Sequence, residues 1–279
     1  MAIATRDQLI NAMANNSSRV VIDKASIANA VAGQFHSLWR ATGQPGQAAI
    51  PAAAAVLDDD TVGAIKFTQQ TAPATSYLGI FEAFCANAGT TLEVHDRLMA
   101  MGGLNGTLTT AQTVGIDLES NLATANLDVR KGDANYSDVQ WWLEWYSDTG
   151  ATVATATANV TYNDGTTGNL TGISLAATRR ASFMQPLNTL IPAAAAGKYI
   201  RGVNSVTLSA TTGTAGNFGV TATRYRAAVY QPVANARFTA DWAALGLPEI
   251  ANDSALFFVQ VAGTTSTGIV RATGKIIHG

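Results

Sequence analysis

The chain is poor in the residues that carry chemistry. Of its 279 residues only 13% are charged, about half the share in an ordinary soluble domain. There is one cysteine, Cys85, so no internal disulfide can form. Its setting in Ile80-Phe-Glu-Ala-Phe-Cys85 predicts a small buried hydrophobe rather than a reactive thiol. The three histidines, His36, His95 and His278, stand far apart, and the sequence offers no cluster of several His, Cys and carboxylate ligands at the short spacings that a zinc site needs. His95 and Asp96 are adjacent and point to opposite faces of a strand, so they cannot form a relay with each other.

Other absences narrow the function further. No Gly-x-Ser-x-Gly elbow is present, and no Cys–His context of a thiol protease. The Gly-rich run Thr211-Thr-Gly-Thr-Ala-Gly-Asn217 has no lysine and leads into a strand, so it lacks the helix N-terminus on which a phosphate rests and reads as a hairpin loop. Asp58-Asp-Asp60 lacks the regularly spaced oxygen ligands of a calcium loop and reads as a solvated turn. No metal and no cofactor are expected. Net charge is −2, and close basic pairs such as Arg179-Arg180 and Arg224 with Arg226 are few and scattered, which leaves no phosphate-neutralising stripe, so specific nucleic acid is not an expected partner. No apolar run approaches a membrane span of roughly 18 residues, so no membrane partner is expected. Without a basic segment followed by an apolar block at the start, the expected place of synthesis is a host cytoplasm.

What remains is Ala, Val, Thr, Ser, Asn and Gly, a composition whose surface costs little to desolvate and suits burial against other protein. Thr5-Arg-Asp-Gln8 has the form of a capping box ahead of Leu9, Ile10 and Met13. A second helix is predicted with Asp23 as N-cap and Ile27, Val31, Phe35 and Leu38 on one face, ended by Gly43 and Pro45. The run Gln44 to Ala55 carries proline near both ends and no periodic face, and is expected to lie extended against protein.

From Thr61 onward the signal is β. Strands are predicted at Tyr77–Ala86, Thr90–Leu98, Val139–Ser147, Val153–Tyr162, Tyr199–Ala210, Phe218–Tyr230, Ala255–Ala262 and Gly268–Ile277, with Asn87-Ala-Gly89 as a hairpin connection and further turns at Asp148-Thr-Gly150 and Asn163-Asp-Gly165. Residues 179–196 and 238–250 read as long connections, the second with a short helix around Trp242. The expected fold is mainly β: an antiparallel β-sandwich or jelly-roll-like domain over 61–279, with a subdivision near 130, preceded by an N-terminal helical and extended arm over 1–60.

One strand stands out. Val139, Trp141, Leu143 and Trp145 alternate with Gln140, Trp142, Glu144 and Tyr146. The first set is assigned to the core. The second is core as well, or is covered by the N-terminal segment, or meets a partner, since Trp and Tyr bury much area at small entropy cost. The candidate interface residues are therefore Trp142, Glu144, Tyr146, Gln44, Pro45, Ile50 and Pro51. Aromatic rings also stack on sugars, which keeps a carbohydrate-binding or receptor-binding reading open. A glycan-cleaving enzyme would need two facing carboxylates drawn from Glu82, Glu93, Glu119, Glu144 and Glu249.

Four stretches resemble tailed-bacteriophage virion structural proteins: Ser37-Leu-Trp-Arg-Ala-Thr-Gly-Gln-Pro-Gly46, His95-Asp-Arg-Leu-Met-Ala-Met-Gly-Gly-Leu104 leading to Thr110-Ala-Gln-Thr113, Ser205-Val-Thr-Leu-Ser-Ala-Thr-Thr-Gly-Thr-Ala-Gly-Asn-Phe-Gly219, and Leu245-Gly-Leu-Pro-Glu-Ile250. The resemblance implies a particle component with no catalytic role and no cofactor. Its expected partners are the major capsid protein and copies of itself in a homo-oligomer, located in the virion. A head decoration (cement) or minor capsid subunit is the leading expectation. A tail tube or baseplate subunit is the alternative within the same class.

Overall fold

The computed structural model describes residues 3–175 and 178–279. Helix α1 (Arg6–Asn15) is followed by strands β1 (Ser17–Lys24), β2 (Phe35–Ser37), β3 (Gly43–Gln44), β4 (Ala55–Val56), β5 (Ser76–Cys85), β6 (Thr90–Leu104) and β7 (Gln112–Asp117). A one-turn helix α2 (Leu127–Arg130) precedes β8 (Val139–Ser147), β9 (Ala154–Tyr162), β10 (Thr167–Leu175), β11 (Phe183–Pro186), β12 (Ile200–Leu208), β13 (Asn217–Gln231) and β14 (Arg237–Asp241). Helix α3 (Trp242–Leu245), β15 (Glu249–Ile250), β16 (Leu256–Val261) and β17 (Val270–His278) follow. The protein is mainly β and its sheets are antiparallel, as the alternation and turn chemistry predict.

Contacts divide the chain into two units that interleave along the sequence. The first holds residues 1–48, 58–96 and 225–279, and the second holds 49–57 and 97–224. The boundary therefore lies at neither 60 nor 130. It falls inside β6 and inside β13, where nothing in composition or turn residues marks it.

In the first unit the sheet runs β14-β5-β17-β1-β3, with β15 also on β5. β17 is central, pairing β1 from Ser17↔Ile277 to Lys24↔Val270 on one side and β5 on the other. A second layer pairs β16 with β2 and with the first half of β6. Alternate residues of both layers, among them Val20, Ile22, Leu78, Ala272 and Ile276 facing Leu92, Val94, Leu256 and Phe258, close one core.

In the second unit a four-stranded sheet, β10-β9-β12-β7, lies over a sheet containing β11, β8, β13 and the second half of β6. Trp141, Leu143 and Trp145 of β8 and Phe218, Val220 and Ala222 of β13 share a core with Ala156, Ala158 and Val160 of β9 and Val203 and Val206 of β12. Trp145 stacks on Phe218 with ring centroids 5.7 Å apart. Trp141 donates its indole N–H to the Ile200 carbonyl at 2.8 Å, which removes the cost of burying an unpaired polar group. Gly219 lets β6 approach: a Cβ there would lie 1.7 Å from the Met101 carbonyl oxygen.

Several local expectations change. The second helix does not form. Asp23 and Lys24 end β1, bends and turns follow, and 35–37 are β2, whose Phe35, His36 and Ser37 pair with Val261, Gln260 and Val259 of β16. The first helix forms with its capping box: Gln8 N–H donates to Thr5 Oγ1, and Gln8 Oε1 accepts from Thr5 N–H. Asn87-Ala-Gly89 is not a hairpin turn, since β5 pairs β17 and β14 whereas β6 pairs β16. The Thr211–Asn217 loop likewise carries the chain from one sheet to the other. Asn163-Asp-Gly165 does close a hairpin, between β9 and β10. β7, β10 and β14 fall outside the predicted strands; β10 and β14 lie at sheet margins, where alternation is diluted by Gly, Thr and Asn.

Candidate functional site

The outer face of β8 is buried. Trp142, Glu144 and Tyr146 are 3%, 1% and 5% exposed, which corrects their assignment to an intermolecular surface. The Trp142 indole N–H donates to Thr223 Oγ1 at 2.8 Å. Arg97, itself 0% exposed, donates from Nη2 to Glu144 Oε2 at 2.6 Å, to Tyr146 Oη at 3.1 Å and to Thr221 Oγ1 at 3.1 Å. Thr221 Oγ1 donates in turn to Glu144 Oε2. The Glu144 carboxylate is thus half of a buried ion pair. Burial and the adjacent Glu144 carboxylate push the Tyr146 phenol well above its ordinary range. Sequence alone could not pair Glu144 with an arginine 47 residues earlier.

Ile50 and Pro51 belong to the same unit and lie beside this strand. The Pro51 carbonyl accepts from Gly102 N–H at 3.1 Å. A Cβ on Gly102 would lie 2.6 Å from that oxygen, 3.0 Å from Tyr146 Cε2 and 3.1 Å from Ile50 Cγ2. This stretch therefore packs on its own chain. Gln44 and Pro45 are elsewhere, in the first unit, bordering a cleft beside β1. The Pro45 carbonyl accepts from Lys24 Nζ at 2.6 Å, as does that of Ala41 at 3.1 Å, and burial lowers the Lys24 amine to about 8.

Because Trp142 is as enclosed as Trp141, Trp142→Ala is expected to cost about 3–5 kcal/mol of folding free energy, the loss usual for a buried aromatic. Urea unfolding of the two alanine variants side by side measures this. A Trp142 variant within 1 kcal/mol of wild type, roughly a neutral surface change, would restore the exposed-face reading.

The remaining titratable groups of interest are dispersed. Cys85 is 0% exposed, its thiol donates to the Thr267 carbonyl, and burial raises its pKa. His95 pairs with Glu93 at 2.8 Å, while Asp96 accepts from Ala255 N–H, so the two neighbours serve different partners. Asp60 pairs with Lys66 in solvent, but Asp59 is buried and accepts from Gln69. Among the described residues no cluster of His, Cys, Asp and Glu could hold a metal ion, and no helix is long and apolar enough to cross a membrane.

An apolar groove in the first unit was not anticipated. α1 buries Leu9 and Ala12 with Ile277 of β17 and leaves Ile10 on its other side, 58% exposed. α3 is held by Asp241, whose Oδ1 accepts from Ala243 and Ala244 N–H, and is closed by Gly246 at φ +72. These caps fix Trp242, 43% exposed, opposite α1. The groove between them, about 440 Å³, is lined by Arg6, Leu9, Ile10, Met13, Ala14 and Trp242. Trp and Arg are enriched at binding hot spots, and Met at interfaces generally. The groove offers shape and apolar area, with one guanidinium and no acid–base pair. The sequence signal was present in the Asp241-Trp242 cap and in Ile10, which falls off the face set by Leu9 and Met13.

No protein-family model matches the chain, and no curated protein matches it. Solved structures with some likeness include VP2 of infectious bursal disease virus. A point mutant of VP2 in T=1 particles is 11% identical over 94% of this chain and 77% of that chain, with a TM-score of 0.18. The VP2 subviral particle is 10% identical over 94% and 79%, at 0.21. The T13 viral particle is 9% identical over 94% and 77%, at 0.19. At these TM-scores the likeness carries no argument about fold or function.

Proposed function

We propose that this chain is a structural subunit of a virus particle that works by packing against other subunits, without catalysis or a cofactor. The observation that carries the reading is the exposed groove of Trp242, Ile10 and Met13, set in a chain of low charge. A soluble monomer gains nothing from holding a tryptophan 43% exposed beside an isoleucine 58% exposed, whereas a subunit buried in a shell does. The four-stranded sheet supports the same reading: its outer face carries Thr155, Thr157, Asn159, Thr161, Asn169 and Asn204, linked by side-chain hydrogen bonds such as Asn159–Asn169 and Asn204–Asn159, both 2.8 Å. Such a face is cheap to desolvate. The resemblance of four stretches to tailed-phage virion proteins supports the finer assignment to a head-associated decoration or minor capsid subunit. The carbohydrate-binding version needed Trp142 and Tyr146 open in a groove, and both are buried.

The test is self-association of the purified chain, followed by light scattering and electron microscopy over a concentration series. Wild type is expected to form discrete oligomers. Trp242→Ser, an exposed change that leaves the core intact, is expected to weaken assembly at least about tenfold, since hot-spot truncations cost about 2 kcal/mol or more. A monomer at every concentration, with and without other virion proteins, would overturn the reading.

A further inference from the structure

The open edge of β1 points to a second binding surface, distinct from the Trp242 groove and independent of the particle reading. β3 pairs only with Asp23 and Lys24. From Ser17 to Ile22, β1 therefore has β17 on one side and, among the described residues, no strand on the other. The direction of its backbone groups follows from the ladder. Ala25 N–H donates to the Thr42 carbonyl at 2.9 Å, toward β3. The Asp23 carbonyl points the same way, since a Cβ on Gly43 would lie 1.9 Å from its oxygen. In an antiparallel strand the N–H and C=O groups of alternate residues face one edge, so those of Val21 and Arg19 face it too. Among the described residues neither has a backbone partner outside the β17 ladder. Unpaired edges are normally blunted by proline, inward charge or a covering segment; here they border a cleft instead.

That cleft, about 290 Å³, is lined by Arg19, Val20, Val21, Gln44, Pro45, Ala64, Ile65 and Lys66. One wall is β1. The other is the stretch through Ala64–Lys66, tied down further on where Thr68 N–H donates to Ser18 Oγ at 3.2 Å. Val21, 56% exposed, supplies apolar contact at the lip. At the rim Lys66 is neutralised by Asp60, with Asp58 and Asp59 close by, which leaves exposed Arg19 as the cation without an ion-pair partner among the described residues. We propose that this edge takes an extended peptide strand bearing a carboxylate, which adds to the sheet beside β1 through the N–H and C=O groups of Arg19 and Val21 and sets its acid against the Arg19 guanidinium. Strand addition draws affinity from backbone hydrogen bonds and selectivity from side-chain contacts. Gln44 and Pro45, singled out from the sequence as interface residues, form the end of this cleft.

The probe is acetyl-Thr-Val-Glu-Val-Thr-amide, with a twin carrying lysine in place of glutamate, added to the full chain at millimolar concentration. Amide hydrogen exchange is read residue by residue. Exchange at Arg19 and Val21 is expected to slow roughly tenfold with the glutamate peptide and little with its twin, a difference of about 1.4 kcal/mol. Val21→Pro removes one edge N–H without touching the β17 ladder, a placement edge strands tolerate, and is expected to abolish the protection. Arg19→Glu should reverse the peptide preference while leaving the melting temperature unchanged, which keeps the test decisive if the proline variant is unstable. No slowing at Arg19 and Val21 with either peptide overturns the proposal. So does protection that rises with protein concentration in the absence of peptide, which would assign the edge to a second copy.

Discussion

Arg97→Met is expected to destabilise the second unit by about 3–5 kcal/mol, because it strands a carboxylate where no water reaches. Glu144 is 1% exposed and its Oε2 takes hydrogen bonds from Arg97 and Thr221. Removing the guanidinium leaves the choice between an unpaired buried charge and a protonated acid, and both are costly. The reverse single change, Glu144→Leu, should cost a similar amount by stranding Arg97. The double variant should be more stable than either single one, since an apolar pair of similar volume replaces a buried ion pair at little net cost. Urea unfolding of all four proteins gives the coupling energy directly. Additive losses would mean that the two side chains stabilise the fold independently, contrary to their 2.6 Å separation.

The second large effect is acid lability of the first unit. All three histidines lie in it, at 0%, 0% and 3% exposure. His36 Nε2 accepts from Val31 N–H at 3.1 Å, so the ring is neutral with its proton on Nδ1. Burial lowers its pKa from the ordinary 6.5 to about 4. The unfolded chain therefore takes up a proton near pH 6.5 and the folded one only near 4. Between these values the unfolded state holds more protons, so stability is full above pH 6.5 and falls as pH drops toward 4. The loss is about 3 kcal/mol by linkage. Burial lowers His278 as well, which adds in the same direction. His36→Gln keeps an acceptor for Val31 and should remove most of this slope. The measurement is the opening free energy of first-unit amides by hydrogen exchange from pH 7.5 to 4.5; an unchanged slope in the variant would falsify the assignment to His36.

Much of the strand inventory was legible in the sequence. Val139–Ser147 and the later strands were legible because period-two alternation of large apolar residues survives wherever one face meets a core. The Trp242 helix was legible from its cap. Partner choice was not. Asn87-Ala-Gly89 and Thr211–Asn217 have turn chemistry, but such residues reverse a chain equally well within a sheet or across to another. The β1 region misled because Ile27, Val31, Phe35 and Leu38 satisfy a helical period by chance, while Val20, Ile22 and Lys24 hide their alternation behind a buried lysine. The candidate site divided along the same line. Gln44 and Pro45 do border an open cleft, but the polar face of β8 is a core face whose arginine comes from a distant strand.

The interleaving of the two units also orders events on the ribosome. The second unit ends at Arg224, so every segment of it is made before residues 225–279 of the first. The first unit must wait, because β17, the strand joining β1 to β5, follows the whole of the second unit in the sequence. Until then β1 and β5 lack the neighbour that lies between them, and α1 lacks Ile277, against which Leu9 and Ala12 pack. The Trp242 groove, which depends on that seating of α1, takes shape only once β17 is in place.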